Sequence, residues 1–172
     1  MPVGLKNNTE GNIQFAVDAI LSSREKHGFF GISELGSPVG VKSTGHPHTH
    51  LVLRGSDKDT NYDEKSVKTS QRLLESRGLS SKLMIDCSHG NSEKNHGAQA
   101  IVCKRVVQQI RNGNKDIIGV MLESNLKSGN QPIPEDLTGF DKSTLKYGVS
   151  VTDSCLSWEA TEMLLLDVYR SL

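Results

Sequence analysis

The sequence has no apolar run of the roughly 18 residues that a membrane crossing needs, and this absence argues against a transmembrane protein. Its first twelve residues lack a basic start followed by an apolar stretch, so we expect no signal peptide. Only three cysteines are present, Cys87, Cys103 and Cys155, and none belongs to a C-x-x-C pair. A disulfide framework is therefore not expected, and a cytoplasmic location fits best.

Neither sign of charge is in excess, because 20 basic residues balance 20 acidic residues. Without a basic field or a block of like charge, we expect neither a nucleic-acid partner nor a membrane partner. Apolar residues make up 35% of the 172 positions, which is enough to bury a core. We therefore predict one domain over residues 1–172.

Short apolar runs alternate with helical patterns along the chain. Ile13, Val17 and Ile20 have the spacing of a buried helix face. The run 117–122 is apolar without alternation, which is typical of a strand covered on both faces. Asp63 is placed to cap a later helix. The pattern predicts four strand–helix units and one inserted hairpin: the units lie near 3–21, 50–77, 82–112 and 117–169, and the hairpin at 29–42.

Alternating strands and helices predict parallel β/α units, hence an α/β protein. Four such units can form a small open sheet. They can also form half of a (β/α)8 TIM barrel, which typically contains about 250 residues. In such a barrel the active site lies at the C-terminal ends of the strands, so the side chains found there bear on both fold and function.

Each predicted strand is followed by a charged or metal-binding side chain: Lys6, Arg54, His89 and Glu123. Asp153 lies in the long loop after the last strand, from which it can return to the same rim. Lysine and arginine suit phosphate and carboxylate groups. Histidine and carboxylates are ligands for divalent Mn, Fe, Co or Zn. Together these residues predict a metal enzyme that acts on a phosphorylated, anionic small molecule.

Other interpretations of single residues stay open. Any one of these charged groups also fits a solvated loop, and a lone strand-end lysine also fits a Schiff-base lysine. His46, His48 and His50 alternate and form a possible metal clip, although loop residues preceding a strand are the simpler interpretation. On an extended strand Cys87 points to the same side as His89, but we interpret it as a small core residue rather than a ligand.

Five segments resemble motifs of the type I 3-deoxy-7-phosphoheptulonate synthases. They occur in the family's order and with its spacing, and they cover nearly the whole chain. The segments are PVGLKNNTEG (2–11, similar to PVGFKNGTDG), HLVLRGS (50–56, similar to the LRGG segment), KLMIDCSHGNSEK (82–94, similar to MIDFSHGNSxK), IIGVMLESNLKSGNQ (117–131, similar to IxGVMxESHLxEGxQ) and YGVSVTDSCLSWE (147–159, similar to YGxSITDACxxW).

The resemblance implies a transferase that condenses phosphoenolpyruvate with erythrose 4-phosphate, the first step of the shikimate pathway toward chorismate and the aromatic amino acids. It implies a (β/α)8 barrel and a divalent metal. It assigns His89, Glu123 and Asp153 to three of the family's four metal ligands. It assigns Lys6 and Arg54 to phosphoenolpyruvate, and it makes these two and His89 the expected catalytic residues.

Parts of the family pattern have no counterpart in this sequence. They are the fourth metal ligand, a cysteine upstream of the first motif, and the Lys-Pro-Arg-Thr-Ser segment that handles erythrose 4-phosphate. We therefore expect only the last four β/α units of the barrel. The chain is then part of an active synthase, or a truncated non-catalytic paralogue that keeps the metal and phosphoenolpyruvate contacts, or, less simply, a metal-binding protein for another anion. Open strand edges predict a homo-oligomer or pairing with a full-length paralogue.

Two features qualify the resemblance. Asn8 and Ser56 replace family glycines, and a glycine in a binding loop often supplies a special backbone angle or a close approach. The hairpin at 29–42 matches an insert that the family associates with inhibition by aromatic amino acids, which predicts such an effector. Glu34 stands in it where the family usually has lysine.

Overall fold

Four parallel strands form the central sheet of the computed structural model, which describes residues 1–172. The strands are β1 (Val3–Lys6), β4 (Thr49–Leu53), β5 (Leu83–Asp86) and β6 (Ile117–Met121), and they lie side by side in that order. Spatial order therefore equals chain order, with no reversal. A doubly wound open sheet reverses its strand order, whereas a β/α barrel does not, so the sheet is consistent with part of a barrel.

Four α-helices follow the parallel strands, one after each, as the alternating pattern predicted. They are α1 (Ile13–Arg24), α2 (Glu64–Ser76), α3 (Ala98–Arg111) and α4 (Trp158–Ser171). Asp63 caps α2 as predicted, because its side chain accepts a hydrogen bond from the backbone N–H of Ser66. No helix combines the length and the apolar character that a membrane crossing requires.

The main core lies between the helices and the outer face of the sheet. Alternate strand residues such as Leu51, Leu53, Leu83 and Ile85 are fully buried against the helices. The opposite face of the sheet is more polar, and it carries Asp86 toward the carboxyl ends of the strands. Because strand side chains alternate between the two faces, one face supplies packing and the other is available for chemistry.

The predicted hairpin is present as a separate antiparallel pair, β2 (Gly28–Ile32) and β3 (Pro38–Lys42). It stands away from the core, and several of its apolar side chains are exposed. Phe30 is 94% exposed and Leu35 is 93% exposed, which is unusual for residues of this size.

Two short strands were not predicted. β7 (Ser124–Asn125) follows β6, and β8 (Leu156–Ser157) precedes α4. They pair in parallel with each other as a separate two-stranded sheet, so the polar loop that begins after β7 ends beside it at β8.

Candidate metal and anion site

The predicted strand-end residues lie at one edge of the sheet. Arg54, His89, Glu123 and Asp153 line a common cavity of about 180 Å³. Lys6 reaches the same edge, where its Nζ lies 2.6 Å from an oxygen of Asp86. The geometry therefore brings all five together, while their roles stay predictions.

His89, Glu123 and Asp153 form the one group of side chains whose geometry suits a metal ion. His89 Nε2 lies 3.3 Å from Glu123 Oε1 and 3.6 Å from Asp153 Oδ2. Ligand atoms about 2.1 Å from one ion lie about 3.0–3.4 Å from each other in tetrahedral or octahedral geometry. The spacing and the one-nitrogen, two-carboxylate donor set therefore fit a divalent cation such as Mn, Fe, Co or Zn.

The chain turns sharply after β5 at His89. The φ of His89 is 53°, in the left-handed region, which is uncommon for a residue other than glycine. A short 3₁₀ helix, His89–Ser92, follows at once. This turn directs the ring back over the sheet edge, where it meets carboxylates from three different segments.

The β7–β8 pair brings Asp153 to Glu123. The backbone N–H of Leu156 donates to the carbonyl of Glu123 at 2.9 Å, which fixes the returning segment beside the end of β6. Ser154 is also hydrogen-bonded to His96 Nδ1 at 2.8 Å, which ties the same segment to the loop after β5. Asp153 itself is 63% exposed, so its position depends on these neighbours.

Glu123 is held by Gln99 of α3 and lies in a negative environment. The amide of Gln99 accepts from the Glu123 N–H at 2.8 Å and donates to its carbonyl at 3.3 Å. Burial raises the pKa of the Glu123 carboxyl. The neighbouring His89 and Lys6 lower that pKa, while Asp153 and Asp86 raise it further. A cation would relieve the repulsion among these carboxylates.

Asp86 is the residue of this site that sequence reasoning missed. It is fully buried at the end of β5 and contacts both Lys6 and His89. Burial alone would raise its pKa, but hydrogen bonds from Lys6 and Ser88 and the charge of Lys6 together lower the pKa below its usual value. The available sequence signal was a carboxylate ending an apolar strand.

Arg54 lines the cavity, and its side chain is only half-buried overall. Its backbone is tightly held: its N–H donates to Asn7 Oδ1 at 3.0 Å, and its carbonyl accepts from the Asn91 N–H at 3.2 Å. Its Nε is buried and has no hydrogen-bond partner within the protein. The guanidinium is therefore placed on a fixed backbone beside the cavity, where a planar cation suits an anionic group.

Asparagines, also missed from the sequence, join the loops behind the site. Asn7 Nδ2 donates to the carbonyl of Gly55, and Asn91 Nδ2 donates to the carbonyls of Leu53 and Asp86. Both side chains are almost fully buried. They satisfy backbone groups at the strand ends, so the loops that carry the site have defined positions.

The backbone angles at Asn8 and Ser56 do not require glycine. Neither residue has a positive φ. The required glycines are Gly55 and Gly90. A Cβ on Gly90 would lie 2.3 Å from the Ser56 carbonyl oxygen, and a Cβ on Gly55 would lie 2.5 Å from the Asn91 nitrogen. The loops after β4 and β5 therefore contact each other through backbone atoms.

Cys87 does not share a side with His89, which corrects the expectation from an extended strand. The chain turns at His89, so Cys87 faces the helices while the histidine ring faces the site. Cys87 is a fully buried core residue, as interpreted from the sequence, and Cys103 is fully buried as well. The rings of His46 and His48 meet edge to face at 6.1 Å, and the alternating histidines do not form a metal cluster.

Comparison with known proteins identifies the family. The family model described as the DAHP synthetase I family matches residues 1–166. The chain belongs to this family. It is 46% identical over 167 residues to a phospho-2-dehydro-3-deoxyheptonate aldolase of Alternaria alternata. It is 43% identical over 172 residues to the Tyr-sensitive phospho-2-dehydro-3-deoxyheptonate aldolase of Salmonella typhimurium.

A solved structure shows the same fold. The phospho-2-dehydro-3-deoxyheptonate aldolase of Francisella tularensis matches 98% of this chain with a TM-score of 0.86 and 39% identity. The match covers 47% of that protein. The corresponding shares of the Alternaria and Salmonella relatives are 44% and 47%, so this chain spans about half the length of the relatives named here.

Proposed function

We propose that the chain supplies the metal and phosphoenolpyruvate part of a 3-deoxy-7-phosphoheptulonate synthase active site. The whole enzyme would condense phosphoenolpyruvate with erythrose 4-phosphate. The observation that carries the proposal is the metal-compatible triad of His89, Glu123 and Asp153 in one cavity with Arg54. Membership in the DAHP synthetase I family supports this substrate class.

Arg54 and Lys6 would bind the anionic substrate. The guanidinium of Arg54 would donate to a phosphate or carboxylate oxygen in the cavity that it lines. Lys6 adds a positive charge at the same edge, although one of its donors already serves Asp86. His89, Glu123 and Asp153 would hold Mn, Fe, Co or Zn, which when bound acts as a Lewis acid on a carbonyl oxygen.

Four β/α units would make this chain half of a (β/α)8 barrel. The unreversed order of its four strands and its match to about half of each relative named above support this assignment. Strands β1 and β6 each have one neighbour only, so two parallel edges stay unpaired. A second set of four units would pair with both, supplied by a longer chain, by a second copy or by a full-length paralogue.

Mn²⁺ titration of the 172-residue chain, followed by phosphoenolpyruvate, tests the binding proposal. We expect calorimetric Mn²⁺ binding in the wild type and a large loss of affinity in His89→Ala. Arg54→Ala should keep Mn²⁺ binding and lose phosphoenolpyruvate binding. Identical Mn²⁺ titrations of wild type and His89→Ala would contradict the metal assignment.

A phosphate-release assay with both substrates then tests whether this chain catalyses the reaction. Release that depends on His89 would show synthase activity in this chain. Metal and phosphoenolpyruvate binding without phosphate release would limit these 172 residues to the binding part of the site, whether in the synthase or in a non-catalytic paralogue. Sedimentation at micromolar concentration tests whether the open strand edges pair with a partner. A soluble monomer that also unfolds cooperatively on denaturation would contradict the need for one.

We also infer that an aromatic amino acid acts through the hairpin β2–β3. The name of the Salmonella relative records sensitivity to tyrosine, and the hairpin exposes Phe29, Phe30 and Ile32. Amide NMR spectra with added tyrosine, phenylalanine or tryptophan test the idea, with glycine as the control. Shifts confined to the hairpin and abolished by Phe30→Ala would support it, and unchanged spectra would contradict it.

A further inference from the structure

Asp86 lies between the group proposed to bind the anion and the group proposed to bind the metal. It is fully buried, and its two oxygens contact residues from three positions in the chain. Oδ2 lies 2.6 Å from Lys6 Nζ and 2.9 Å from His89 Nδ1. Oδ1 accepts from the backbone N–H of Ser88 at 2.9 Å and also contacts the Ser88 hydroxyl.

These contacts determine which nitrogen of His89 carries the proton. The Ser88 hydroxyl has a single hydrogen, which it gives to Asp86 Oδ1. Toward His89 Nδ1, 2.7 Å away, that hydroxyl can therefore only accept. Asp86 Oδ2 is also an acceptor. With acceptors on both sides, Nδ1 has to be the protonated nitrogen.

In the neutral ring, the other nitrogen then points its lone pair at the metal site. Nε2 faces Glu123 Oε1 at 3.3 Å and Asp153 Oδ2 at 3.6 Å. A lone pair and two carboxylate oxygens repel one another unless a cation or a proton lies among them. The Nδ1–H tautomer is therefore the form in which His89 is a ready ligand.

We propose that Asp86 is a positioning residue that fixes His89 in its Nδ1–H tautomer and holds Lys6 beside it. The metal-binding imidazole and the anion-binding ammonium are thereby held by one carboxylate. This role rests on the proposed metal function of His89. Carboxylates that hydrogen-bond the outer nitrogen of a metal-binding histidine orient the ring and increase its basicity.

Only a carboxylate can satisfy all the neighbours of Asp86. Lys6, the Nδ1–H of His89 and both groups of Ser88 are donors. An asparagine in this place would have one acceptor oxygen and one NH2 group. Its NH2 would face either the donors of Lys6 and His89 or the two donors of Ser88, and that pair of hydrogen bonds would be lost.

The tautomer can be tested in the wild type without any substitution. Long-range ¹H–¹⁵N NMR spectra of histidine-labelled protein distinguish Nδ1–H from Nε2–H, and His89→Ala identifies the signal. We expect the Nδ1–H form at a pH of about 8, where ordinary imidazoles are neutral. With diamagnetic Zn²⁺ added, Nδ1 should keep its proton and Nε2 should show the shift of a metal ligand. A dominant Nε2–H form, or Zn²⁺ bound through Nδ1, overturns the proposal.

Substitution tests the effect on metal affinity. We expect Asp86→Asn to weaken Mn²⁺ binding about 10–100-fold, the usual effect of losing such an outer carboxylate. The same variant should populate the Nε2–H form of His89. Asp63→Asn is the matched control, because it makes the same chemical change at a helix cap where asparagine serves as well as aspartate.

Two further results separate this proposal from the proposed function. If Mn²⁺ binding is absent or independent of His89, the metal assignment fails, and the wild-type tautomer still decides whether Asp86 positions the ring. If binding depends on His89 but Asp86→Asn binds equally well with an unchanged tautomer, only the present proposal fails. Thermal melting shows whether each variant is folded, and the wild-type spectra decide the question should Asp86→Asn unfold.

Discussion

The side-chain amide of Gln99 contacts the backbone of Glu123 at both its N–H and its carbonyl, at 2.8 and 3.3 Å. Gln99 is 1% exposed on α3, whereas Glu123 is 24 residues further along the chain at the end of β6. A side chain of helix α3 thus fixes the backbone position of Glu123, a candidate metal ligand at the edge of the sheet.

Replacing Gln99 should therefore affect both stability and metal binding. We expect Gln99→Ala to lower the free energy of unfolding by about 1–3 kcal/mol, because a peptide group loses its partners. Mn²⁺ affinity should fall as well, since Glu123 gains freedom. Urea denaturation and calorimetry measure the two effects. Gln108→Ala on the same helix is the control, because that side chain is exposed and bonds only Asn112.

Arg54→Lys should weaken phosphoenolpyruvate binding and leave Mn²⁺ binding unchanged. Lysine keeps the charge but lacks the planar fork of donors that a guanidinium offers to a phosphate or carboxylate. One lost charge-assisted hydrogen bond corresponds to about a tenfold loss of affinity or more. Titration of phosphoenolpyruvate into the Mn²⁺-loaded protein measures it, with Arg72→Lys at an exposed position of α2 as the control. Equal affinities for wild type and Arg54→Lys would show that the guanidinium fork does not bind the substrate.

Acid should reduce the stability that Asp86 contributes. Its pKa is lowered in the folded protein from the usual 3.8, so its contribution is complete above 3.8 and is lost as the pH falls through the folded value. The difference in unfolding free energy between wild type and Asp86→Asn should therefore shrink below pH 3.8. Urea titrations at a series of pH values test this. A difference that grows as the pH falls would contradict the lowered pKa of Asp86 in the folded protein.

Of the three cysteines, Cys155 should be the one that alkylates in the native protein. Cys87 and Cys103 have no exposed surface, whereas Cys155 is partly exposed. Burial raises the pKa of Cys155, and the charges of Glu123 and Asp153 raise it further, so its reaction should be slower than that of a free thiol and should accelerate with pH. Mass spectrometry after iodoacetamide treatment locates the label. Equal labelling of Cys87 under native conditions would contradict the buried core.

The sequence predicted the four parallel strands, the hairpin and the Asp63 cap because each has a local signal. Apolar runs, the 3.6-residue period and a capping side chain are all readable over a few neighbouring residues. The strand-end positions of Arg54 and Glu123 followed from those runs.

The rest depended on contacts between distant segments. Asp86 contacts Lys6, which is 80 residues away in the chain, so this ion pair was not readable from the residues next to Asp86. Strands β7 and β8 contain two residues each, too few to show any alternation. An extended strand would place Cys87 and His89 on the same side. The left-handed backbone at His89 ends the strand geometry, so the two side chains point to different sides.

The return of the chain through β7 and β8 limits what a divalent cation would have to organise. Asp153 is the only one of the three candidate ligands that is mostly exposed, and it follows a long polar loop. The ends of that loop are already joined by the β7–β8 pair and by the Gly129–Cys155 bridge, so an ion held by all three ligands would not lose affinity to the entropy of closing it. Shortening the loop within its exposed residues 132–139 should therefore leave metal affinity unchanged with every ligand intact, and Mn²⁺ calorimetry measures this.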